Sequence, residues 1–204
     1  GSKCRDAGQT CVCVFRILGR PRVSAALAAK LAQRVAALKV GNGAEPGVLI
    51  GPLIDEAAVA KVEEHVANAL ARGARVVTGG KRHALGGLFY EPTILADVDT
   101  SMKVTREETF GPVAPLFRFS DEAEAIRMAN DTEFGLASYF YARDIGRIWR
   151  VSEGLEYGLV GINTGRISNE VAPFGGVKES GLGREGSKYG IEDYLVIKYL
   201  CMSV

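Results

Sequence analysis

The stretch Gly8-Gln9-Thr10-Cys11-Val12-Cys13 has the residue types for covalent chemistry. A thiolate is a soft nucleophile, and the acyl product it forms hydrolyses readily. Gly8 lets the backbone turn tightly ahead of Cys11. A helix starting near Cys11 would direct its unpaired amides and its dipole at the sulfur, favouring a thiolate and offering donors to an oxyanion. Arg5, just upstream, adds a positive charge that can lower the thiol pKa or meet an anionic substrate. Each residue also has a plainer reading: the cysteine as a small buried hydrophobe, the arginine as a solvated surface cation. Cys11 and Cys13 form a disulfide only if the backbone between them is extended or the loop rearranges, so the bond would be strained and easily reduced. Otherwise Cys13 is a small core residue.

Other features are weaker. The four cysteines are too few and too unevenly spaced for a disulfide scaffold, and His65 and His83 stand far from them in sequence, so no metal site is expected. Gly181-x-Gly183-x-x-Gly186 has the spacing of a dinucleotide fingerprint but the wrong setting. A true fingerprint opens a helix and has an acidic residue well downstream, whereas here the chain soon ends in a segment expected to be a strand. It reads as a loop that needs glycine. Asn130-Asp131-Thr132 is a chance sequon without a secretory signal.

The elements that position these residues alternate. Val23, Leu27, Leu31, Val35 and Leu38 form a helical stripe that stops at Gly41-Asn42-Gly43. Asp55 is the expected N-cap of a second helix with the stripe Val59, Val62, Val66 and Leu70, ended by Gly73. Residues 75–78 then read as a short buried strand. Further on, residues 113–119 read as a strand, 122–130 as a helix behind a Ser120-Asp121 cap, 136–141 as a strand, 144–153 as a helix and 158–163 as a strand. This alternation predicts an α/β fold, a mostly parallel sheet with helices on both faces. Residues 194–202 alternate and are rich in β-formers, so they read as a separate terminal strand. A lone strand needs a partner edge, which points to an oligomer contact.

With 25 Lys and Arg against 24 Asp and Glu, the chain lacks a positive field for nucleic acid or for an anionic membrane surface. No uncharged apolar run approaches a membrane span and no signal peptide is evident, so a cytoplasmic location is expected. At 47% apolar, the chain can bury a sizeable core.

Three ordered motifs carry a resemblance: Gly8-Gln9-Thr10-Cys11, then Glu107-Glu108-Thr109-Phe110-Gly111-Pro112, then Pro173-Phe174-Gly175-Gly176-Val177-Lys178-x-Ser180-Gly181. Together they resemble the catalytic part of the aldehyde dehydrogenase superfamily, and the flanking residues resemble its succinate-semialdehyde branch. The resemblance implies that Cys11 attacks the aldehyde carbon to form a thiohemiacetal and then a thioester, with NAD or NADP as cofactor. It implies that Glu108 holds the nicotinamide ribose, that Phe110 packs near the nicotinamide, and that Arg5 and Ser168 bind a distal carboxylate of the substrate. It further implies a catalytic domain over residues 1–188 and an oligomerisation segment over 189–204. The NAD(P)-binding domain, general-base glutamate and oxyanion asparagine of the family would lie upstream, outside this chain. Gly1-Ser2 then reads as a cloning remnant and the chain as an excised catalytic domain; self-association without activity is the alternative for it alone, and a different aldehyde the alternative substrate. Cys4, Asp6, Val14 and Phe15 depart from the branch pattern around the nucleophile.

Overall fold

The computed structural model describes residues 3–204, so the Gly1-Ser2 reading lies outside the described residues. The chain forms two compact units, one ending at Ala129 and one running from Asn130 to Val204. The first contains β1 (Ile17–Gly19), α1 (Pro21–Ala36), α2 (Glu56–Ala71), β2 (Arg75–Thr78), β3 (Thr93–Ala96), α3 (Lys103–Arg106), β4 (Val113–Arg118) and α4 (Glu122–Asn130). Its four strands lie in the order β1-β4-β3-β2. β4 is parallel to both β1 and β3, and β2 closes one edge antiparallel to β3.

Alternation along the central strands divides the core between two helices. Leu95, Val113 and Phe117 pack with Val59, Val62, Val66 and Ala69 of α2, whereas Ile94, Ala114 and Leu116 pack with Ala28 and Val35 of α1. Helices therefore cover both faces of this sheet, as the alternating pattern predicts.

The sequence signals for α2 are realised closely. The Asp55 carboxylate accepts the Ala58 amide at 2.7 Å, and the helix closes through Ala74 N–H to Ala69 C=O at 3.0 Å and Gly73 N–H to Leu70 C=O at 3.1 Å. Gly73 takes φ +101°, the left-handed turn this closure requires. The buried stripe differs from the expected one: Leu70 is 42% exposed, and Ala69 and His65 are fully buried. β2 is also less buried than expected, because it is an edge strand with a register shift between Val76 and Thr78.

In the second unit, β6 (Ala137–Phe140), α5 (Ile145–Gly154) and β7 (Leu159–Ile162) form a parallel strand-helix-strand unit. β5 (Phe134–Gly135) pairs antiparallel with β8 (Val177–Lys178). The glycine-rich region is a loop, as expected: Arg184 Nη1 donates to the Gly176 carbonyl at 2.7 Å, and residues 174 and 185 form an isolated bridge. Residues 194–202 do not form the expected strand. After a 3-10 turn at Gly190–Tyr194 they continue with no strand partner and with Leu195, Val196, Ile197, Tyr199 and Leu200 exposed. A strand exists only by pairing, and no edge among the described residues takes this one. No helix among the described residues is long and apolar enough to cross a membrane.

Candidate active site

The Cys11 loop begins with an unusual backbone. Asp6, Ala7 and Gly8 adopt φ of 51°, 53° and 80° in succession, the left-handed region. For two residues with a Cβ this costs about 1–2 kcal/mol each. The chain then makes a turn closed by the Cys13 amide donating to the Thr10 carbonyl at 2.8 Å, with Cys11 exposed on it. No helix starts at Cys11. Val12, Val14, Phe15 and Ile17 explain why: a run of β-branched and aromatic residues disfavours helix, and the chain goes directly into β1. Any donors that serve a thiolate or an oxyanion here come from a turn and not from a helix end.

Three contacts hold this turn. Gln9 Oε1 accepts the Ile54 amide at 2.9 Å and its Nε2 donates to the Pro52 carbonyl at 3.3 Å, tying the loop to the segment that leads into α2. Cys13 Sγ–H points back to the Arg5 carbonyl at 3.6 Å. Gly8 abuts Gly111 so closely that a Cβ on Gly8 would collide with the Gly111 carbonyl oxygen. This last contact joins the first and second sequence motifs.

The second motif follows α3. Glu108 and Phe110 are exposed while Thr109 between them is 2% exposed, and Phe110 has φ 47° with its ring 39% exposed. The loop thus offers a free carboxylate and an outward apolar ring beside the Cys11 turn. A hydrogen-bond acceptor and a flat apolar face suit the sugar and the ring of a nicotinamide nucleotide, so these residues fit the nicotinamide end of such a cofactor.

Lys3 lies at the junction of the two loops. It is 9% exposed, and burial pushes its pKa down to about 8 although the charges of Cys13, Cys4 and Glu108 act to raise it. Burial also pushes the Cys4 thiol up. Lys3 is thus a buried amine whose charge is felt by both cysteines and by Glu108.

Arg5 is exposed at the start of the 3-10 turn Arg5–Gly8, and Ser168 is exposed in a loop after β7 of the second unit. The first unit brings together Cys11, Cys13, Arg5, Glu108 and Phe110; Ser168 belongs to the other unit. No group of three or more His, Cys, Asp or Glu suited to a metal occurs among the described residues.

The sequence reading overlooked Gln9, Lys3 and the set Glu107, His65 and Thr109. His65 Nδ1 lies 3.0 Å from Thr109 Oγ1 and its Nε2 lies 3.2 Å from Glu107 Oε2. Its signal was present: position 65 falls on the same helical face as Val62 and Ala69, where a polar residue needs partners.

The aldehyde dehydrogenase family profile matches residues 1–200. Succinate-semialdehyde dehydrogenase [NADP(+)] of Escherichia coli is 67% identical over the whole chain, and glutarate-semialdehyde dehydrogenase of Pseudomonas aeruginosa is 68% identical over 98% of it. The crystal structure of succinate-semialdehyde dehydrogenase from Burkholderia pseudomallei superposes with a TM-score of 0.97 at 67% identity over the full chain. In all three cases the chain spans 42% of the longer protein. With the Cys11 turn, the Glu108–Phe110 loop and this agreement in sequence and fold, the chain belongs to the aldehyde dehydrogenase family.

Proposed function

We propose that this chain is the catalytic portion of an NAD(P)-dependent dehydrogenase that oxidises succinate semialdehyde to succinate. The observation that carries the reading is the exposed Cys11 on a turn wedged by Gly8 against the Gly111 end of the Glu108–Phe110 loop. Cys11 loses its proton, and its sulfur attacks the aldehyde carbon to give a thiohemiacetal. A nicotinamide cofactor, when bound, would supply the hydride acceptor; Glu108 would hold its ribose and Phe110 would serve its ring. With the hydride given up to that acceptor, Cys11 would be left holding a thioester, which water would cleave to the carboxylic acid and the free thiol. Residues 1–188 form the catalytic domain in this reading. Residues 189–204, with their exposed apolar side chains, form the segment through which copies associate.

Arg5 and Ser168 bind the distal carboxylate. A charge-assisted hydrogen bond to a partly buried carboxylate contributes about 1.5–3 kcal/mol, so each alanine substitution is expected to raise KM for succinate semialdehyde roughly tenfold or more. The measurement uses the chain grafted into the Escherichia coli relative in place of the segment it matches. Butanal, of similar length and uncharged, should be affected much less; equal losses on both aldehydes would place the carboxylate elsewhere.

A second reading of the substrate, glutarate semialdehyde, is favoured by the relative of that name at the same level of identity. Arg5 and Ser168 would serve either anion, and comparing kcat/KM for the two semialdehydes in the graft decides between them.

Cys11 and Cys13 together form a reversible oxidation site in this proposal. Cys13 Sγ is turned toward the Arg5 carbonyl, so pairing with Cys11 requires the turn to rearrange. Peroxide followed by dithiothreitol is the test. In the graft, Cys13→Ala is expected to lose the dithiothreitol-reversible part of the inactivation, and a variant that recovers as fully as wild type would place the reversible lesion on Cys11 alone.

A further inference from the structure

α2 buries its stripe against the sheet with Val59, Val62, Val66 and Ala69, all apolar. His65, on the same helix, is fully buried as well, and a leucine there would fill space without the cost of removing an imidazole from water. Both ring nitrogens are engaged, and both partners come from one short segment: Glu107 and Thr109, on either side of Glu108. Burial holds the His65 pKa below its ordinary value, against the opposing pull of Glu107, so the ring is neutral near pH 7. A carboxylate only accepts, so Nε2 carries the proton and donates to Glu107. Nδ1 is then the acceptor, and the Thr109 hydroxyl donates to it. Each group has one role, and the hydrogen-bond chain runs in one direction.

This arrangement acts on the cofactor-facing residues. The backbone is extended at Glu107, with φ −96° and ψ 130°. Drawing the side chains of 107 and 109 onto α2 leaves Glu108 and Phe110 facing outward, as their exposure records. Two further ties run from α2 to Lys103 at the start of α3, which leads into this segment: Asn68 Oδ1 accepts the Lys103 amide at 2.9 Å, and Lys103 Nζ pairs with Glu64; Lys103 Nζ also lies 3.9 Å from Glu107. Gly111 then fits between Val62 of α2 and the backbone at Gly8, leaving no room for a Cβ on either glycine.

We propose that His65 is a positioning residue: held between Glu107 and Thr109, it fixes the segment that presents Glu108 and Phe110 and, through the Gly111–Gly8 contact, the placement of the Cys11 turn. The functional meaning of this clamp rests on the reading of Cys11 as nucleophile and of Glu108 and Phe110 as cofactor-facing. The clamp itself is tested without either assumption.

The test is amide hydrogen exchange on the 204-residue chain. Thr109→Val keeps the shape of the side chain and deletes only the hydroxyl donor. Exchange in residues 107–112 and 8–13 is expected to accelerate roughly tenfold, while α1 is unchanged. Thr109→Ser, which restores the donor, should return both segments to within about twofold of wild type. Glu107 is half exposed, so its replacement leaves folding least affected. Glu107→Leu should reproduce the Thr109→Val pattern, and Glu107→Gln, which retains an acceptor, should not. No acceleration, acceleration confined to 107–112, or equal acceleration throughout the first unit would each overturn the proposal. Failure of the nucleophile reading would show separately, as activity surviving in Cys11→Ala.

Discussion

Cys11→Ala in the grafted dehydrogenase is expected to abolish aldehyde oxidation while leaving cofactor affinity within about twofold of wild type. The two halves of this expectation have different physical origins. In the proposed mechanism the thiol forms the bond that converts a stable aldehyde into a hydride donor, and an alanine methyl group has no lone pair to replace it, so the loss is of covalent catalysis and not of a binding contribution. Losses of about 10³-fold or more follow when a nucleophile is removed from a site whose remaining groups act only through it. In the proposed reading Glu108 and Phe110 serve only the nicotinamide end of the cofactor, and their segment is held from α2 by His65. A one-atom deletion on the exposed Cys11 turn does not reach that support. The checks are initial rates for the first quantity and fluorescence titration with reduced cofactor for the second. A variant retaining a tenth of wild-type turnover would remove Cys11 from the role of nucleophile.

The parts of this arrangement that were legible in the sequence are those with local signals. Asp55 as cap, Gly73 as terminator and the 3.6-residue spacing between them define α2, because each acts within a few residues of where it stands. β3 left no such signal. Its four residues are buried on both faces of the sheet, so they show no alternation, and a segment this short is indistinguishable from a loop. The terminal segment is different: residues 194–202 carry the pattern of a strand, but pattern supplies only capacity, and with no pairing edge among the described residues of the single chain the ladder depends on an edge elsewhere. At the site, Cys11 was singled out by its residue type and setting, Glu108 and Phe110 through motif resemblance, and His65 by neither, since its partners lie 42 and 44 positions away and only folding brings them together. That no helix starts at Cys11 has a reason also present in the sequence, the β-branched and aromatic residues that follow it.

Gly8→Ala is the substitution expected to damage the site most without touching a reacting atom. Two costs combine at this position and can be separated. The first is conformational: φ +80° is open to glycine and strained for any residue with a Cβ, by about 1–2 kcal/mol. The second is steric. The obstacle is the Gly111 carbonyl, a backbone group in a segment that is itself pinned on its other side by Val62, so there is no flexible side chain to swing away. Overpacking against such a neighbour costs about 1–3 kcal/mol and displaces backbone. Gly47 provides the control, because it has nearly the same backbone angle, φ +77°, with nothing within 4 Å of an added Cβ. Gly47→Ala therefore carries the conformational cost alone, and the difference between the two variants isolates the contact between the Cys11 turn and the Glu107–Pro112 segment. A combined cost on the order of 3 kcal/mol for Gly8→Ala corresponds to a fall of roughly 6–12 °C in the thermal midpoint of the 204-residue chain. In the graft, turnover should fall more steeply than stability accounts for if the proposed roles hold, because the displaced backbone carries Cys11 on one side and Glu108 and Phe110 on the other, and a shift of about 1 Å between reacting groups lowers rates on the order of 100-fold. Differential scanning calorimetry and initial rates measure the two effects. If Gly8→Ala destabilises no more than Gly47→Ala and leaves turnover intact, the two motifs are neighbours without being coupled, and the Cys11 turn takes its position from Gln9 and its ties to Pro52 and Ile54 instead.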